Sequence, residues 1–391
     1  MLNWYCDKPL SEEICLKFYI PTVQDAARIH SVLWMGFLLF PALVAALESP
    51  DTSFQRYLVV PFGAYTEETG GQIGFLGMLF ARPSQPDEPG DMFTASGVLT
   101  TEGQQTFLVG PSGSTICGKV RYNAFLQYSD WPGKYWVGGN EPSGREWSYS
   151  MSSFRLNGSV YASSSLLSIV PDSLGKHLRG GVQFDLEKNS THFSGAGDSM
   201  ASVRGIRTGG RRIGFGPALQ WDARDDQGWP TRGLLLTAGQ LYDRKEWGSD
   251  WSFTKSSLDL RGYAPLPWST VLAVGTLWEE THGQVPFDKL AMPDGSNRLR
   301  GLAKGRLRDA QQLVLQSELR FPSLWRFSAV TFAEAGKVGA DLEELGSNEF
   351  HYSFGAGLRF SVNPQRKLNF RTDVAWVDGA VGVTASFGEA F

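Results

Sequence analysis

Residues 350–362, FHYSFGAGLRFSV, decide the fold, because apolar and polar residues alternate along the whole stretch. The apolar set is Phe350, Tyr352, Phe354, Ala356, Leu358, Phe360 and Val362. The alternation returns in residues 368–376, LNFRTDVAW. A period of two places successive side chains on opposite faces of a β-strand. The two stretches therefore predict neighbouring strands, each with one apolar face and one small or polar face.

The rest of the chain after about residue 55 shows no convincing 3.6-residue apolar period. Sixteen candidate strands begin near residues 56, 72, 92, 104, 119, 148, 178, 212, 232, 251, 269, 311, 325, 349, 366 and 380. Alternation alone fits two folds. A soluble β-sandwich turns the apolar face inward, whereas a transmembrane barrel turns it to lipid.

The composition of the 391 residues excludes several other classes. A net charge of −4 gives no basic surface for nucleic acid, and the 13% aromatic content excludes disorder. A mean hydropathy of −0.20 excludes a bundle of transmembrane helices. Three cysteines are too few for a disulfide scaffold.

The N-terminal region favours the barrel. The apolar run 32–47 is shorter than a spanning helix, and small residues end it, so we predict a signal peptide over residues 1–46; a membrane anchor is the alternative. A short segment, 47–55, would precede a barrel over 56–391. Strand-like segments of spanning length and aromatic residues at strand ends also favour the barrel. These aromatic residues are Trp221, Trp268, Trp325, Trp376 and Phe391. Phe391 would end the sixteenth strand, predicted over residues 380–391.

The predicted fold is therefore all-β, a sixteen-stranded antiparallel transmembrane barrel. Short connections rich in Pro, Gly and Asn are expected at 227–231, 264–268, 322–324 and 363–366. Longer loops are expected at 131–147, 189–210, 281–310 and 336–348. The longest is the sixth of the outer loops, between strands 11 and 12.

Five motifs in the second half carry a family resemblance. They are GFGPALQWDARDD (214–226) with GWPTRG (228–233), Leu299-Arg300-Gly301-Leu302 followed by Arg308-Asp309, the strand containing Glu318, VTFAEAG (330–336), and SFGEAF (386–391). In this order they resemble the BamA/TamA-type outer-membrane barrel family, also called the bacterial surface antigen family. The first motif resembles the strand 8–9 signature, with Asp222, Arg224, Asp225, Pro230 and Gly233. The last resembles a closing-strand signal, with Phe387, Gly388 and Phe391.

The resemblance implies a sixth loop that folds into the lumen. Its tip residue Arg300 would then face Glu334, with Glu318 nearby. The residues agree on one point: Glu318 shares the polar face of its strand with Gln316 and Arg320, so it points inward. Two departures from the family pattern are Leu302 in place of an aromatic residue and Glu334 in place of Asp. The alternative is that Arg298 and Arg300 are solvated loop residues.

The chain offers little for catalysis. The histidines His177, His192, His282 and His351 lack metal-ligand spacing, and no Gly-x-Ser-x-Gly, P-loop or dinucleotide motif occurs. Asp222, Arg224, Asp225 and Asp226 cluster, but at a turn that the resemblance explains structurally. We therefore predict that the protein is not an enzyme and holds no metal or cofactor.

The expected function follows from the resemblance. Only about nine residues separate the export segment from strand 1, so a barrel-only member without POTRA domains is expected. It would act in protein insertion, protein translocation or lipid handling through a seam between the first and last strands. The alternative is a passive pore or structural barrel. Expected partners are outer-membrane lipids and lipopolysaccharide, and client proteins or a separate periplasmic chain; no nucleic acid is expected, and the barrel should be monomeric.

Overall fold

The computed structural model describes residues 56–66, 70–81, 90–115, 118–137, 139–142, 146–164, 177–194, 207–293, 295–364 and 367–391. The expected signal peptide at 1–46, the segment 47–55 and Cys117 lie outside the described residues.

The described residues form one antiparallel sheet of sixteen strands, each paired with its neighbours in sequence. The strands are β1 (Tyr57–Thr66), β2 (Gly70–Phe80), β3 (Met92–Thr100), β4 (Gln105–Thr115), β5 (Val120–Trp136), β6 (Glu146–Ser163), β7 (Leu178–Phe193), β8 (Gly210–Asp222), β9 (Gly233–Asp243), β10 (Phe253–Leu266), β11 (Thr270–Gly283), β12 (Gln311–Arg320), β13 (Phe327–Gly339), β14 (His351–Asn363), β15 (Leu368–Val377) and β16 (Ala380–Phe387). The predicted fold class is confirmed, and every strand begins within two residues of its predicted start.

The connections lie at two ends of the sheet. Those after odd-numbered strands form the loop end, which carries the sixth loop, and those after even-numbered strands form the turn end. A short helix at the loop end, α1 (Leu342–Ser347), begins where the Asp341 side chain accepts a hydrogen bond from the Glu344 amide at 2.8 Å. Within the described ranges, no helix is long and apolar enough to cross a membrane.

The predicted loop at 131–147 is wrong. Strands β5 and β6 continue to Trp136 and from Glu146, and these two residues pair across the ladder. Pro132 and Gly133 look like turn residues but sit in the ladder opposite Ser150 and Tyr149. The alternation persists through them, so the hairpin projects beyond its neighbours at the loop end.

The two faces of the sheet have opposite chemistry. On β14, Tyr352 and Phe354 are about half exposed, whereas Ser353 and Arg359 are fully buried. The exposed residues form an apolar outer face, and the buried ones are polar or charged and face the interior. This is the arrangement of a transmembrane barrel and the reverse of a soluble sandwich.

The first and last strands are not joined by a ladder within the described residues. Instead, the inward-facing Leu58 and Val60 of β1 belong to an apolar cluster that includes Phe360 of β14, with Phe370 and Phe387 packed against it. These three phenylalanines face outward, because Phe360 lies two residues from the exposed Leu358 on β14 and pairs with Phe370, which in turn pairs with Phe387. Phe62 of β1 meets Phe387 with ring centroids 5.6 Å apart. At the turn end, β1 therefore overlaps the outside of β16 rather than pairing with its edge.

The end of the chain differs from the prediction. β16 stops at Phe387, and Gly388 has a positive φ of 80° that turns the chain out of the sheet. Ala390 and Phe391 are then buried with Tyr263 and Ala273 in the lumen. The expectation that strand 16 reaches Phe391, and that this ring belongs to an interfacial girdle, is wrong. The polar partners described below hold the residues 388–391, here called the tail, inside.

Candidate functional site

The sixth loop, residues 284–310, folds into the lumen. Leu299, Arg300 and Leu307 of this loop are completely buried. Its two limbs are joined by an antiparallel bridge between Ala291 and Asp309. The tip is packed against the inner wall formed by β12 to β16.

Arg300 at the tip contacts three carboxylates. Its Nε donates to Glu334 at 2.9 Å, and its Nη1 donates to Glu318 at 2.9 Å and to Asp373 at 3.3 Å. The Arg300 backbone amide donates to the other Glu334 oxygen at 2.6 Å. The guanidinium also lies 3.4 Å from the centroid of the Phe332 ring. Glu334 thus holds both the side chain and the backbone of the tip residue.

The neighbours of Arg300 fix the tip backbone. The Ser353 hydroxyl donates to the Arg300 carbonyl oxygen at 2.6 Å. Gly301 has a φ of 89°, and a Cβ there would lie 2.9 Å from the Ala375 Cβ. Leu302 fills an apolar pocket with Leu299, Leu307, Val338 and Val377. An aliphatic residue at this position therefore packs where the family pattern has an aromatic one.

The same wall carries further buried charges. Glu318 also accepts from Arg320 at 2.9 Å and from Arg359 at 3.2 Å. Asp373 accepts from Arg359 at 2.5 Å and from Arg371 at 2.9 Å. All of these side chains are at most 1% exposed. Burying a charge is unfavourable unless it is paired, so each carboxylate here is shared between arginines.

Several members of this cluster were not predicted from the sequence. Arg359, Arg371 and Asp373 were absent from the predicted site, although they occupy inward positions of the alternating stretches that decided the fold. Charged residues at inward positions of adjacent strands were the signal that could have identified them.

The strand 8–9 signature builds the turn between β8 and β9. Arg224 donates to both Asp222 oxygens, at 2.9 and 3.1 Å. Asp225 accepts from the Thr231 hydroxyl at 2.5 Å and from the Thr231 and Arg232 amides at 2.9 and 3.2 Å. Burial opposes ionisation of Asp225, but these hydrogen bonds outweigh it and lower its pKa. Gly233, with φ 109°, closes the turn, since a Cβ there would lie 2.2 Å from the Ala223 carbonyl oxygen.

This turn reaches into the lumen from the turn end. Trp229 packs against a buried cluster of Val330, Phe332 and Ala375. The Arg320 guanidinium lies between Trp229 and Tyr263, 4.8 and 5.4 Å from the ring centroids. Arg320 also donates to the Pro230 carbonyl oxygen at 3.2 Å. Arg320 therefore links Pro230 of the signature to Glu318. Arg224 and Asp225 lie within the turn, and Asp222, the last residue of β8, also accepts from Arg121 of β5 at 3.5 Å.

The tail meets the same wall. Arg320 Nη2 donates to the backbone oxygen of Phe391 at 2.8 Å. Glu389 accepts from Arg359 Nε and from Asn369 Nδ2, both at 2.9 Å. The loop tip, the β8–β9 turn and the tail thus all contact the charged residues on the inner face of β12, β14 and β15.

A second charged cluster lies on β6 to β9. Arg212 is bonded to Glu187 at 2.7 Å and to Asp185 at 3.2 Å, and it approaches Asp243 at 3.3 Å. Lys289 of the sixth loop reaches Glu187 at 2.6 Å. Sequence reasoning did not identify this cluster, which contacts the loop well before its tip.

The loop limbs are held by aromatic rings near this second cluster. Phe287 is 3% exposed, and its ring contacts those of Tyr135, Tyr149 and Phe193 at centroid distances of 5.1–5.7 Å. Arg308 lies over the Phe287 and Tyr135 rings at 5.0 and 5.1 Å. Two predicted tip residues, Arg308 and Asp309, therefore lie on the returning limb and are not brought together with Arg300.

Asp309 occupies a partly buried position at the loop end. Its Oδ1 accepts from the Ala310 amide at 2.8 Å. Burial raises the pKa of Asp309, and the nearby Glu344 and Asp341 raise it further, although the Ala310 hydrogen bond opposes them.

Comparison with solved structures finds related barrels. BamA from Haemophilus ducreyi lacking POTRA domains 1–3 superposes with a TM-score of 0.54 at 11% identity, over 88% of this chain and 73% of that chain. CdiB from Escherichia coli gives 0.56 at 11% identity, over 85% and 61%. CdiB from Acinetobacter baumannii gives 0.52 at 12% identity, over 86% and 60%. The chain thus spans less than two thirds of either CdiB chain, and at these identities the likeness shows the fold alone.

The sequence comparisons supply the family. Curated protein sequences give no match. The Omp85 superfamily domain matches residues 147–379, more than half of the chain, and this range contains the sixth loop and Arg300 with its three carboxylates. The chain therefore belongs to the Omp85 superfamily and is a bacterial outer-membrane β-barrel.

Proposed function

We propose that this barrel inserts or translocates other polypeptides at the outer membrane through the seam between β1 and β16. One observation carries the proposal: within the described sheet, the two end strands are neighbours without a ladder between them. An unpaired strand edge presents backbone donors and acceptors to which another strand can add. A barrel closed by a full ladder has no such edge.

The sixth loop supports the same proposal. A charged tip held by Glu334, Glu318 and Asp373 is a releasable lock, because the freed groups are hydrated once water enters the lumen. The tip residues Arg300 and Gly301 form this lock, and Leu299 and Leu302 seat it in the apolar pocket. Arg308 and Asp309 hold the returning limb.

The turn and tail residues have supporting roles. Asp222, Arg224, Asp225 and Gly233 keep the β8–β9 turn rigid, so that Pro230 and Trp229 hold Arg320 in place. Phe387 packs against Phe62 where β1 overlaps the outside of β16, and Gly388 directs Phe391 inward.

The proposed partners follow from this mechanism. Outer-membrane lipids and lipopolysaccharide surround the apolar outer face, and client polypeptides enter at the seam, delivered by a separate periplasmic chain. The protein works as a monomeric barrel. The activity is mechanical rather than enzymatic.

A reversible cross-link of the seam tests the proposal. Phe62→Cys and Phe387→Cys are introduced together in a Cys117→Ser background, in cells whose chromosomal copy is deleted. The outer-membrane proteome and lipid profile are then measured with the pair oxidised and reduced, and each single-cysteine variant serves as a control. Depletion of a defined set of outer-membrane or secreted proteins on oxidation, restored by reduction, is the expected result.

The other outcomes identify the alternatives. A changed lipid balance with an intact proteome would indicate that the seam handles lipids and not polypeptides. No change in either, with the cross-link formed, would refute a working seam and leave a passive pore or structural barrel.

A further inference from the structure

We propose that the tip of the sixth loop controls the position of β16, so that release of the loop lock and movement of the seam are one coupled event. This inference deepens the proposed function, since it concerns how the same seam is regulated. It is carried by two sets of contacts, one direct and one through Glu318.

The direct contact joins two glycines. A Cβ placed on Gly382, near the start of β16, would lie 2.4 Å from the Gly301 Cα and 2.5 Å from the Gly301 carbonyl oxygen. No side chain would fit between the loop tip and this strand. Glycine at position 382 lets the two backbones meet, so the tip rests on β16 itself as well as on the wall beside it.

The charged contacts reach β16 from its other end. Glu318 binds Arg300 of the loop, and it also binds Arg320 and Arg359. These two arginines are the residues that hold the tail, through the Phe391 backbone oxygen and Glu389 respectively. The tail directly continues β16, so the loop tip and the end of the seam strand share one carboxylate.

The coupling follows from charge balance in a buried site. When Arg300 leaves, Glu318 loses one of its three guanidinium partners, and water enters to hydrate the vacated position. Arg320 and Arg359 then face a hydrated carboxylate and lose the fixed geometry that orients them toward the tail. Coupling between sites is reciprocal, so release of the tail must weaken the loop lock by the same free energy.

Hydrogen–deuterium exchange on the purified full-length barrel in detergent micelles tests the coupling. We expect Arg300→Ala to raise the exchange rate of the β16 amides, residues 380–387, by at least about tenfold, which corresponds to about 1.4 kcal/mol. In the reverse direction, Glu389→Gln should raise exchange at the Arg300 amide. The double variant should change β16 exchange by less than the product of the two single effects, because both act on one network.

Arg212→Ala is the matched control. Arg212 is also buried and paired with three carboxylates, but it reaches the sixth loop through Glu187 and Lys289, well before the tip. Its loss should therefore raise β16 exchange far less than Arg300→Ala does. Equal acceleration by Arg212→Ala and Arg300→Ala would show general loosening of the barrel and overturn the proposal.

A glycine pair gives a second test that does not depend on the charges. Gly382→Ala places a methyl group against the Gly301 backbone and should raise exchange at the loop tip. Gly180→Ala, on β7, meets nothing within 4 Å and should not. Protected tip amides in a folded Gly382→Ala barrel would refute the direct contact. These experiments contain no client, so the coupling can hold even if the seam passes nothing, and it can fail while the cross-link test succeeds.

Discussion

Replacing Arg300 by Ala removes the most heavily paired cation on the sixth loop. The change deletes contacts to Glu334, Glu318 and Asp373 and the approach to the Phe332 ring. The three carboxylates are affected unequally. Glu318 and Asp373 each keep two other arginines, whereas Glu334 keeps only the tip backbone amide and Gln316 Nε2, at 2.9 Å, among its described partners.

The magnitude follows from this inequality. Removing one member of a buried ion pair costs about 3–5 kcal/mol, because the remaining charge is left uncompensated. Only Glu334 is left without a cation, so we expect a loss near the lower limit, about 3 kcal/mol. Arg300→Lys should fall between wild type and Ala, since one ammonium group cannot reproduce the two-sided bonding of a guanidinium.

Arg298 provides the comparison within the same loop. It donates to Asp259 at 2.9 Å and to Gln316 at 3.2 Å, but its side chain is 18% exposed. Its loss should cost about 1 kcal/mol or less, as for other solvent-accessible pairs. Urea unfolding in micelles, followed by tryptophan fluorescence, measures both variants. If Arg298→Ala destabilises the barrel as much as Arg300→Ala, the buried network does not hold the loop and the reasoning is wrong.

Three further predictions concern other parts of the site. Phe287→Ala should cost about 3–5 kcal/mol, because a fully packed ring is lost from the aromatic cluster of Tyr135, Tyr149 and Phe193; protease cleavage of the loop would report it, and an uncleaved loop would contradict it. Burial raises the pKa of Asp309, so its stabilising contribution is complete below the unfolded value of about 3.9 and is lost as pH rises through the folded value. Asp309→Asn should therefore stabilise the loop at neutral pH, and its urea midpoint should fall less than that of the wild type as the pH rises above about 4; an unchanged pH dependence would contradict this. Gly233→Ala should destabilise the barrel far more than Gly295→Ala, since both have positive φ but only the first Cβ meets backbone, at 2.2 Å; equal unfolding midpoints would refute the clash.

The fold was predictable because each strand carries its own signal. Alternation over 350–362 and 368–376 fixed strand faces, and the pairing of neighbours followed from antiparallel order. The tail was not predictable in the same way. In SFGEAF, Phe387 and Phe391 both fall in the register of the apolar face of β16, although Glu389 lies between them. The positive φ of Gly388 and the partners in the lumen turn Phe391 inward. These partners come from β10, β11, β12, β14 and β15, so only the assembled barrel brings them to the tail.

The site also has a part that local patterns predict and a part that depends on long-range packing. Local patterns placed Arg300, Glu318 and Glu334 together through the family resemblance, and inward alternation gave the direction of Glu318. The second cluster around Arg212 and Lys289 depends on how far the loop reaches across the lumen. That distance is set by packing of Phe287 among rings on β5 to β7, which no local pattern encodes.

The sixth loop in the lumen and the seam between β1 and β16 are held by different kinds of interaction. Inside the lumen, ion pairs hold the loop. Their net contribution to stability is small, because the attraction between the charges is offset by the cost of removing them from water. At the seam, the Phe62–Phe387 contact lies beside lipid, where apolar burial adds no hydrophobic driving force because lipid tails are as apolar as the rings. Unpaired backbone at β1 and β16 meanwhile costs several kcal/mol for each group exposed to lipid. A strand that pairs with either edge removes that cost. On the proposed mechanism, the seam is held weakly against opening and gains free energy when a client strand pairs with it, which is the balance that strand insertion requires.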